Sequence, residues 1–219
     1  MLKASLLILC LTSCFIIRSQ EKIVEKTVLS ISPKIGSSFS SWFGKDVNES
    51  ELSWLNLGFV FGAQAEYGTN KLKSITDLSF IQKGSRTPIN FGIKYKTTLN
   101  CLDLSSGLRF YPIKQLSIQG GIYISAVLWG KLDYHFIPEG PETISGMTPE
   151  ELGINWFDCG GKTGISIHVI PQTSLNLNYL LSVLPITNHS KIYNSCFSAT
   201  LSYNVPVIKS KTSRKNDFL

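Results

Sequence analysis

Charge is scarce in this 219-residue chain: Asp, Glu, Lys and Arg make up 16% of it, against about a quarter in an ordinary soluble domain. Apolar residues stand at an ordinary 43%, so the shortfall falls on the polar surface. Long apolar runs are missing too. Apart from ASLLILCLTSCFII after Lys3, no window offers roughly 18 uncharged apolar residues, which excludes a helical membrane span elsewhere in the chain. Histidine is limited to His135, His168 and His189, which are too scattered for a metal cluster or a Ser-His-Asp arrangement. Aromatic and basic residues do not interleave on any one strand face, so nucleic acid is not an expected partner. Neither a metal nor a cofactor is expected.

The apolar run at the amino end lies between Lys3 and Arg18-Ser19-Gln20, which is the layout of a secretory signal peptide covering residues 1–19. Leu11-Thr12-Ser13-Cys14 also has the spacing of a lipoprotein-processing site. Removal of Lys3 and Arg18 with the leader lowers the formal net charge from +6, and much of the remaining excess lies in KSKTSRKNDFL. Residues 208–219 read as a basic, disordered tail, which leaves 20–207 as one domain. Cys101, Cys159 and Cys196 then remain, an odd number without zinc-site spacing, and unpaired thiols are the simpler reading.

What the chain does have is a period of two. In LGFVFGAQAEYG, Leu57, Phe59, Phe61, Ala63, Ala65 and Tyr67 alternate with Gly58, Val60, Gly62, Gln64 and Glu66. The same pattern marks eight strands, at Val28–Ser40, Leu57–Gly68, Leu72–Gly84, Lys94–Tyr111, Leu116–Trp129, Ile154–Ile170, Thr173–Thr187 and Ile192–Val205. Most run ten residues or more, longer than usual globular strands but enough to cross a bilayer at a tilt. Tight turns at Thr69-Asn70-Lys71, Pro112-Ile113-Lys114-Gln115 and Pro171-Gln172 alternate with the connections Ser41–Asn56, Ser85–Ile93, Gly130–Gly153 and Asn188–Lys191. Short turns on one rim and long loops on the other describe an all-β, eight-stranded antiparallel transmembrane up-and-down barrel.

Charge keeps the same parity. Lys34 shares a face with Ser32, Gly36 and Ser38; Glu66 lies with Gln64, Asp77 with Lys83, Asp103 with Arg109, and Asp158 with Lys162 and His168. An eight-stranded barrel is only about wide enough inside for side chains, so Glu66, Asp77, Lys83, Asp103, Arg109, Asp158 and Lys162 are expected to pair across a packed lumen. Arg109 would then face Asp103, Asp77 or Asp158.

A soluble lipocalin-like barrel would show the same alternation with its faces exchanged. The polar face here is rich in Gly, Ser and Asn, and Trp42, Phe43, Trp54, Tyr67, Phe110, Tyr111, Trp129 and Tyr203 lie near strand ends, where membrane girdles form. Both features favour the membrane.

The segments PKIGSSFS, GFVFGAQAEY and SITDLSFIQKG, with Asp77, Lys83 and Gly84, resemble the opening hairpins of the PorT-type, porin-family outer-membrane β-barrels. LDLSSGLRFYP with LSIQGGIYISAVL resembles their central hairpin, and FSATLSYNV their closing strand. Ser105 stands where a proline is expected, and the chain continues past Tyr203 and Val205 instead of ending on an aromatic residue. The resemblance implies an outer-membrane location, with outer-membrane lipid and the barrel-assembly machinery as partners, and no particular chemistry.

Other motifs dissolve. Gly160-Gly161-Lys162-Thr163-Gly164 has Trp156 where a phosphate-binding loop needs glycine, and it falls within a strand. Thr148-Pro149-Glu150-Glu151, closed by Gly153, has the signature of a capping box and predicts a short helix in the longest external loop. The leading functional expectation is a noncatalytic barrel that scaffolds or binds an envelope partner through Ser41–Asn56 and Gly130–Gly153. A small lipid-modifying enzyme using His135 or His189 is the alternative, and a general porin ranks third.

Overall fold

The computed structural model describes residues 28–47, 55–68, 71–86, 93–136, 140–170, 172–187 and 190–209. The leader with Cys14, Trp54, His189 and the tail beyond residue 209 lie outside the described residues. One sheet contains β1 (Val28–Gly44), β2 (Asn56–Gly68), β3 (Leu72–Arg86), β4 (Ile93–Ile113), β5 (Leu116–Phe136), β6 (Gly140–Met147), β7 (Phe157–Ile170), β8 (Thr173–Ser182), β9 (Ile192–Tyr203) and β10 (Val205–Lys209). Eight of these close a barrel in the order β1-β2-β3-β4-β5-β7-β8-β9, and β9 returns to β1 along an antiparallel register from Lys34↔Ser202 to Gly44↔Ile192. Closure removes the free edges that an open sheet would leave in lipid. β10 pairs with Val28–Ile31 beside the closing seam and carries strand structure to Lys209, past the expected domain end at 207.

Polar residues face in and apolar residues face out, the reverse of a soluble barrel. Arg109, Lys83, Ser38 and Ser40 are each no more than 1% exposed, whereas Ile122 is 70%, Phe157 69% and Ile35 68% exposed. Water would penalise that outer wall and lipid rewards it, so the lipocalin-like alternative falls. Inside, glycine makes room. Gly107 and Gly121 pair across β4 and β5, and a Cβ on either would come within 2.3 Å of a neighbouring carbonyl oxygen.

The strands depart from expectation mainly at the long-loop rim. β4 and β5 each run 21 residues, and part of the expected Gly130–Gly153 loop is β6, paired with β5 from Phe136↔Gly140 to Gly130↔Met147. β7 starts at Phe157 instead of Ile154, and β8 ends at Ser182 instead of Thr187. The short helix at Thr148 is corrected to a capped turn. Thr148 N donates to Glu151 Oε2 at 2.7 Å and Glu151 N to Thr148 Oγ1 at 3.3 Å, so the capping box forms, but Gly153 at φ +66° ends the turn at once. A single turn between two strands has too few hydrogen bonds to offset helix nucleation. Trp42 and Tyr111 also differ: Trp42 packs against the apolar interior and Tyr111 bonds within the lumen, while Phe43, Tyr67, Phe110, Trp129 and Tyr203 do lie on the outer wall.

Candidate functional site

The lumen is built in layers from the short-turn rim upwards. At its inner end Arg109 Nη1 donates to Glu66 Oε1, Nε donates to Gln119 Oε1 at 3.0 Å, and Nη2 donates to Gln64 Oε1 at 3.1 Å. Lys73 Nζ lies 3.0 Å from Glu66 Oε2, to which Tyr111 Oη also donates at 3.0 Å. These residues meet because Glu66 on β2, Lys73 on β3 and Arg109 on β4 sit at one height, with Lys73↔Arg109 directly paired. Arg109 therefore pairs with Glu66, not with Asp103, Asp77 or Asp158 as the sequence suggested. Its in-phase neighbour Asp103 is six residues along the same strand and so belongs to a different layer.

In the middle layer, Lys34 and Lys162 both reach Asp77 Oδ2, Lys162 at 2.8 Å, and Ser79 Oγ donates to Asp77 Oδ1. Lys162 also donates to Ser105 Oγ at 2.9 Å. The outer layer centres on Lys83, whose Nζ is 3.5 Å from Asp158 Oδ2 and donates to Ser125 Oγ at 3.1 Å. Asp103 Oδ2 is 3.0 Å from the same ammonium, an ionic contact without hydrogen-bond alignment, while its Oδ1 accepts from Ser125 Oγ. Tyr123 lends its ring face to Lys83 at 4.6 Å and donates its hydroxyl to Asp158 at 3.1 Å.

All seven residues singled out from sequence thus face the lumen in ion pairs, joined by two others. Lys34 had been placed on this face without being counted in the network. Lys73 was missed, although counting back in twos from Asp77 reaches it. Five cations and four carboxylates make up the layers, leaving one excess positive charge. A cavity of about 20 Å³ lies among Lys34, Asp77, Asp103, Tyr123 and Lys162, room for about one water molecule.

Apolar side chains share the lumen with the middle and outer charges, and Val60, Ile81 and Leu180 line the same cavity as Asp77 and Lys162. Val60, Ile81, Leu99, Cys101, Val127, Leu180 and Cys196 line the wall, and Ile154 and Ile186 drop in from the segments after β6 and β8. Leu152 occupies the space that a side chain at position 130 would fill, since a Cβ on Gly130 would lie 2.1 Å from its Cδ1. Backbone bonds tie the two segments together: Asn155 N donates to Ile186 O at 2.7 Å, and Ile186 N donates to Ile192 O at 2.7 Å. Cys101, Cys159 and Cys196 are all free thiols, the first and last buried in this plug.

Beyond the plug, the outer parts of β4 and β5 continue with β6 as a three-stranded external sheet. One face carries Tyr95 and Tyr134, edge to face at 5.3 Å, with Leu132 opposite Ile144. The other carries Lys96 opposite Asp133 and Asp133 opposite Thr143. His168 stacks on Tyr111 in the lumen at 5.6 Å between centroids. Among the described residues, no group of three or more His, Cys, Asp or Glu side chains could hold a metal ion.

No protein-family model and no curated protein matches the chain. Solved structures do. Ail, the attachment invasion locus protein of Yersinia pestis, superposes with a TM-score of 0.51 at 16% identity, over 80% of this chain and 98% of that one. Neisserial surface protein A gives a TM-score of 0.46 at 13% identity over 80% of this chain and 96% of its own, and OprG from Pseudomonas aeruginosa gives 0.41 at 10% over 82% and 97%. At such identities the likeness is one of fold, and Ail is the comparison that carries it. Closed strands, an apolar outer wall, a polar lumen and this likeness agree: the chain is an eight-stranded β-barrel of the outer membrane.

Proposed function

We propose that this barrel is noncatalytic and serves as a scaffold that holds a cell-envelope protein through its external sheet. Strand length carries the reading. A tilted strand crosses a bilayer in about 9–11 residues, and β4 and β5 each have 21, so about half of each is committed to a structure outside the membrane. β6 adds a third strand there, and the Tyr95, Leu132, Tyr134 and Ile144 face offers aromatic and aliphatic contact of the kind that anchors interfaces. Among the described residues the lumen charges are paired and apolar side chains pack beside them, which supports a structural role for Glu66, Asp77, Lys83, Asp103, Arg109, Asp158 and Lys162. Within outer-membrane barrels we assign the chain to the PorT type on the segments PKIGSSFS, SITDLSFIQKG and LDLSSGLRFYP.

Crosslinking in intact outer membranes tests the scaffold. A photoreactive residue at Ile144 should capture one protein species that the same label at Ile122, on the lipid-facing wall, does not. Removal of residues 140–147 should abolish the capture while heat-modifiable gel migration of the barrel persists. A deletion that folds yet leaves growth, envelope integrity and every co-purifying protein unchanged would sink the idea. Steady single-channel conductance of the intact barrel would count against the packed lumen.

A further inference from the structure

We propose that the partner is held by strand addition: an extended segment of it pairs with the open edge of β6, setting an aliphatic side chain opposite Ile144 and a basic one opposite Glu142. This rests on the scaffold reading above and names the chemistry of its contact. Among the described residues β6 pairs with β5 alone. Every second residue of β6 therefore turns its N–H and C=O away from β5, toward a side where none of those residues forms a strand. The far side of the external sheet differs, because β3 runs beside β4 as far as Arg86↔Lys96. Pro141 to Gly146 are all exposed, so both faces of β6 are open as well as its edge.

Edge strands that stay unpaired usually carry guards such as lysine, proline or a bulge. In β6 the guards stand only at the ends. Pro141 lies at one, and at the other Gly146, with φ +78°, accompanies the register shift between Gly130 and Lys131. Between them Glu142-Thr143-Ile144-Ser145 has neither lysine nor proline, and Thr143 and Ile144 are β-branched, which suits them to a ladder. Such a stretch is a template for one more strand, a mode in which main-chain bonds give affinity and alternate side chains give specificity. Register shows what those side chains must be. Tyr134↔Glu142 and Leu132↔Ile144 put Glu142 and Ile144 on the face that carries Tyr95. Ile144 is 46% exposed, and Glu142 has no ion pair among the described residues. A strand laid beside β6 thus meets an apolar position and, two residues along the same face, an unpaired carboxylate, so its matching residues are aliphatic and basic.

The test uses the full barrel, isotopically labelled in lipid nanodiscs, and the acetylated, amidated peptide Lys-Thr-Ile-Thr-Lys, whose symmetry lets one lysine reach Glu142 in either strand direction. With millimolar peptide the amide resonances of Glu142 to Ser145 should shift, and hydrogen exchange should slow at alternate residues there, a pattern that docking on a face does not give. The peptide Glu-Thr-Ile-Thr-Glu should bind about fivefold more weakly, and Glu142→Lys should reverse that order. The lysine peptide N-methylated throughout keeps its side chains, loses every N–H and should not bind. Equal affinity for the two parent peptides, binding of the N-methylated one, shifts centred on Tyr95 and Leu132 instead of β6, or no binding at all overturns the proposal. Crosslinking in outer membranes separates this proposal from the scaffold reading. The captured protein should be reached from a label at Ser145, on the opposite face of β6, as well as from Ile144. Capture from Ile144 without Ser145 leaves the scaffold standing and overturns strand addition, and capture from neither overturns both. A barrel that dimerises through β6 assigns the edge to a second copy and overturns the proposal too.

Discussion

The strands β4 and β5 pass through two environments, and their polar residues serve different ends in each. Inside the wall, Asp103, Arg109 and Ser125 are almost wholly buried, and each has its partners fixed by neighbouring strands. Above the wall, Lys131 and Asp133 form an ion pair whose side chains are 43% and 27% exposed. Alternation is the same in both places, but solvent differs. A buried charge that loses its partner has no water to turn to, whereas an exposed one rehydrates. Charge in the lumen therefore specifies structure, and charge on the external sheet is free to meet other molecules.

Arg109→Leu should have the largest effect. It strips Glu66 of its guanidinium within the packed lumen and should destabilise the barrel by about 3–5 kcal/mol, read as a lowered urea midpoint for loss of the heat-modifiable band. Lys131→Leu, the matching change above the wall, should cost under about 1 kcal/mol. Comparable losses from the two would erase the distinction between the regions.

Second in size is a charge placed on the lipid-facing wall. Ile122→Arg should cost about 2–4 kcal/mol in a bilayer, with Ile144→Arg on the external sheet within about 0.5 kcal/mol of wild type in the same assay. A severe loss from Ile144→Arg would place that part of the sheet in lipid. Leu152→Ala comes next, at about 2 kcal/mol, because it leaves a space beside Gly130 that backbone at both ends keeps from closing. Smallest is Thr148→Ala, which removes one side of the capping box and should cost about 0.5–1 kcal/mol in the same unfolding assay. A cost from Thr148→Ala above that of Leu152→Ala would make the turn itself, and not the leucine it presents, the anchor of the plug.

Much of the barrel wall was legible because its signal is local. Period two, Pro and Asn turns, and the parity of Asp77 with Lys83 or Asp158 with Lys162 need only neighbours in sequence. The layers inside were less so. Arg109 and Glu66 are 43 residues apart, and Lys162 and Asp77 are 85 apart, so their meeting depends on the stagger of strands around the barrel. β6 was hidden because GPETISGM lacks alternation and gains strand structure only by pairing with β5. Trp42 looked like a girdle residue by its place near a strand end, yet parity with Lys34 and Ser40 turns it inward. The capped turn went the other way: its local signal was right, and the flanking strands allowed it no length.

By itself, then, the sequence determined which residues form the wall and which face of each strand is apolar, and it favoured lipid for that face, since scarcity of charge and period two are properties of the chain alone. Tertiary structure decided which charges pair, that the apolar face is the outer one, that an apolar cluster packs beside the charges, and that β4, β5 and β6 continue past the barrel wall as one sheet. Those outcomes rest on register between strands, and register is set jointly by every strand in a closed ring.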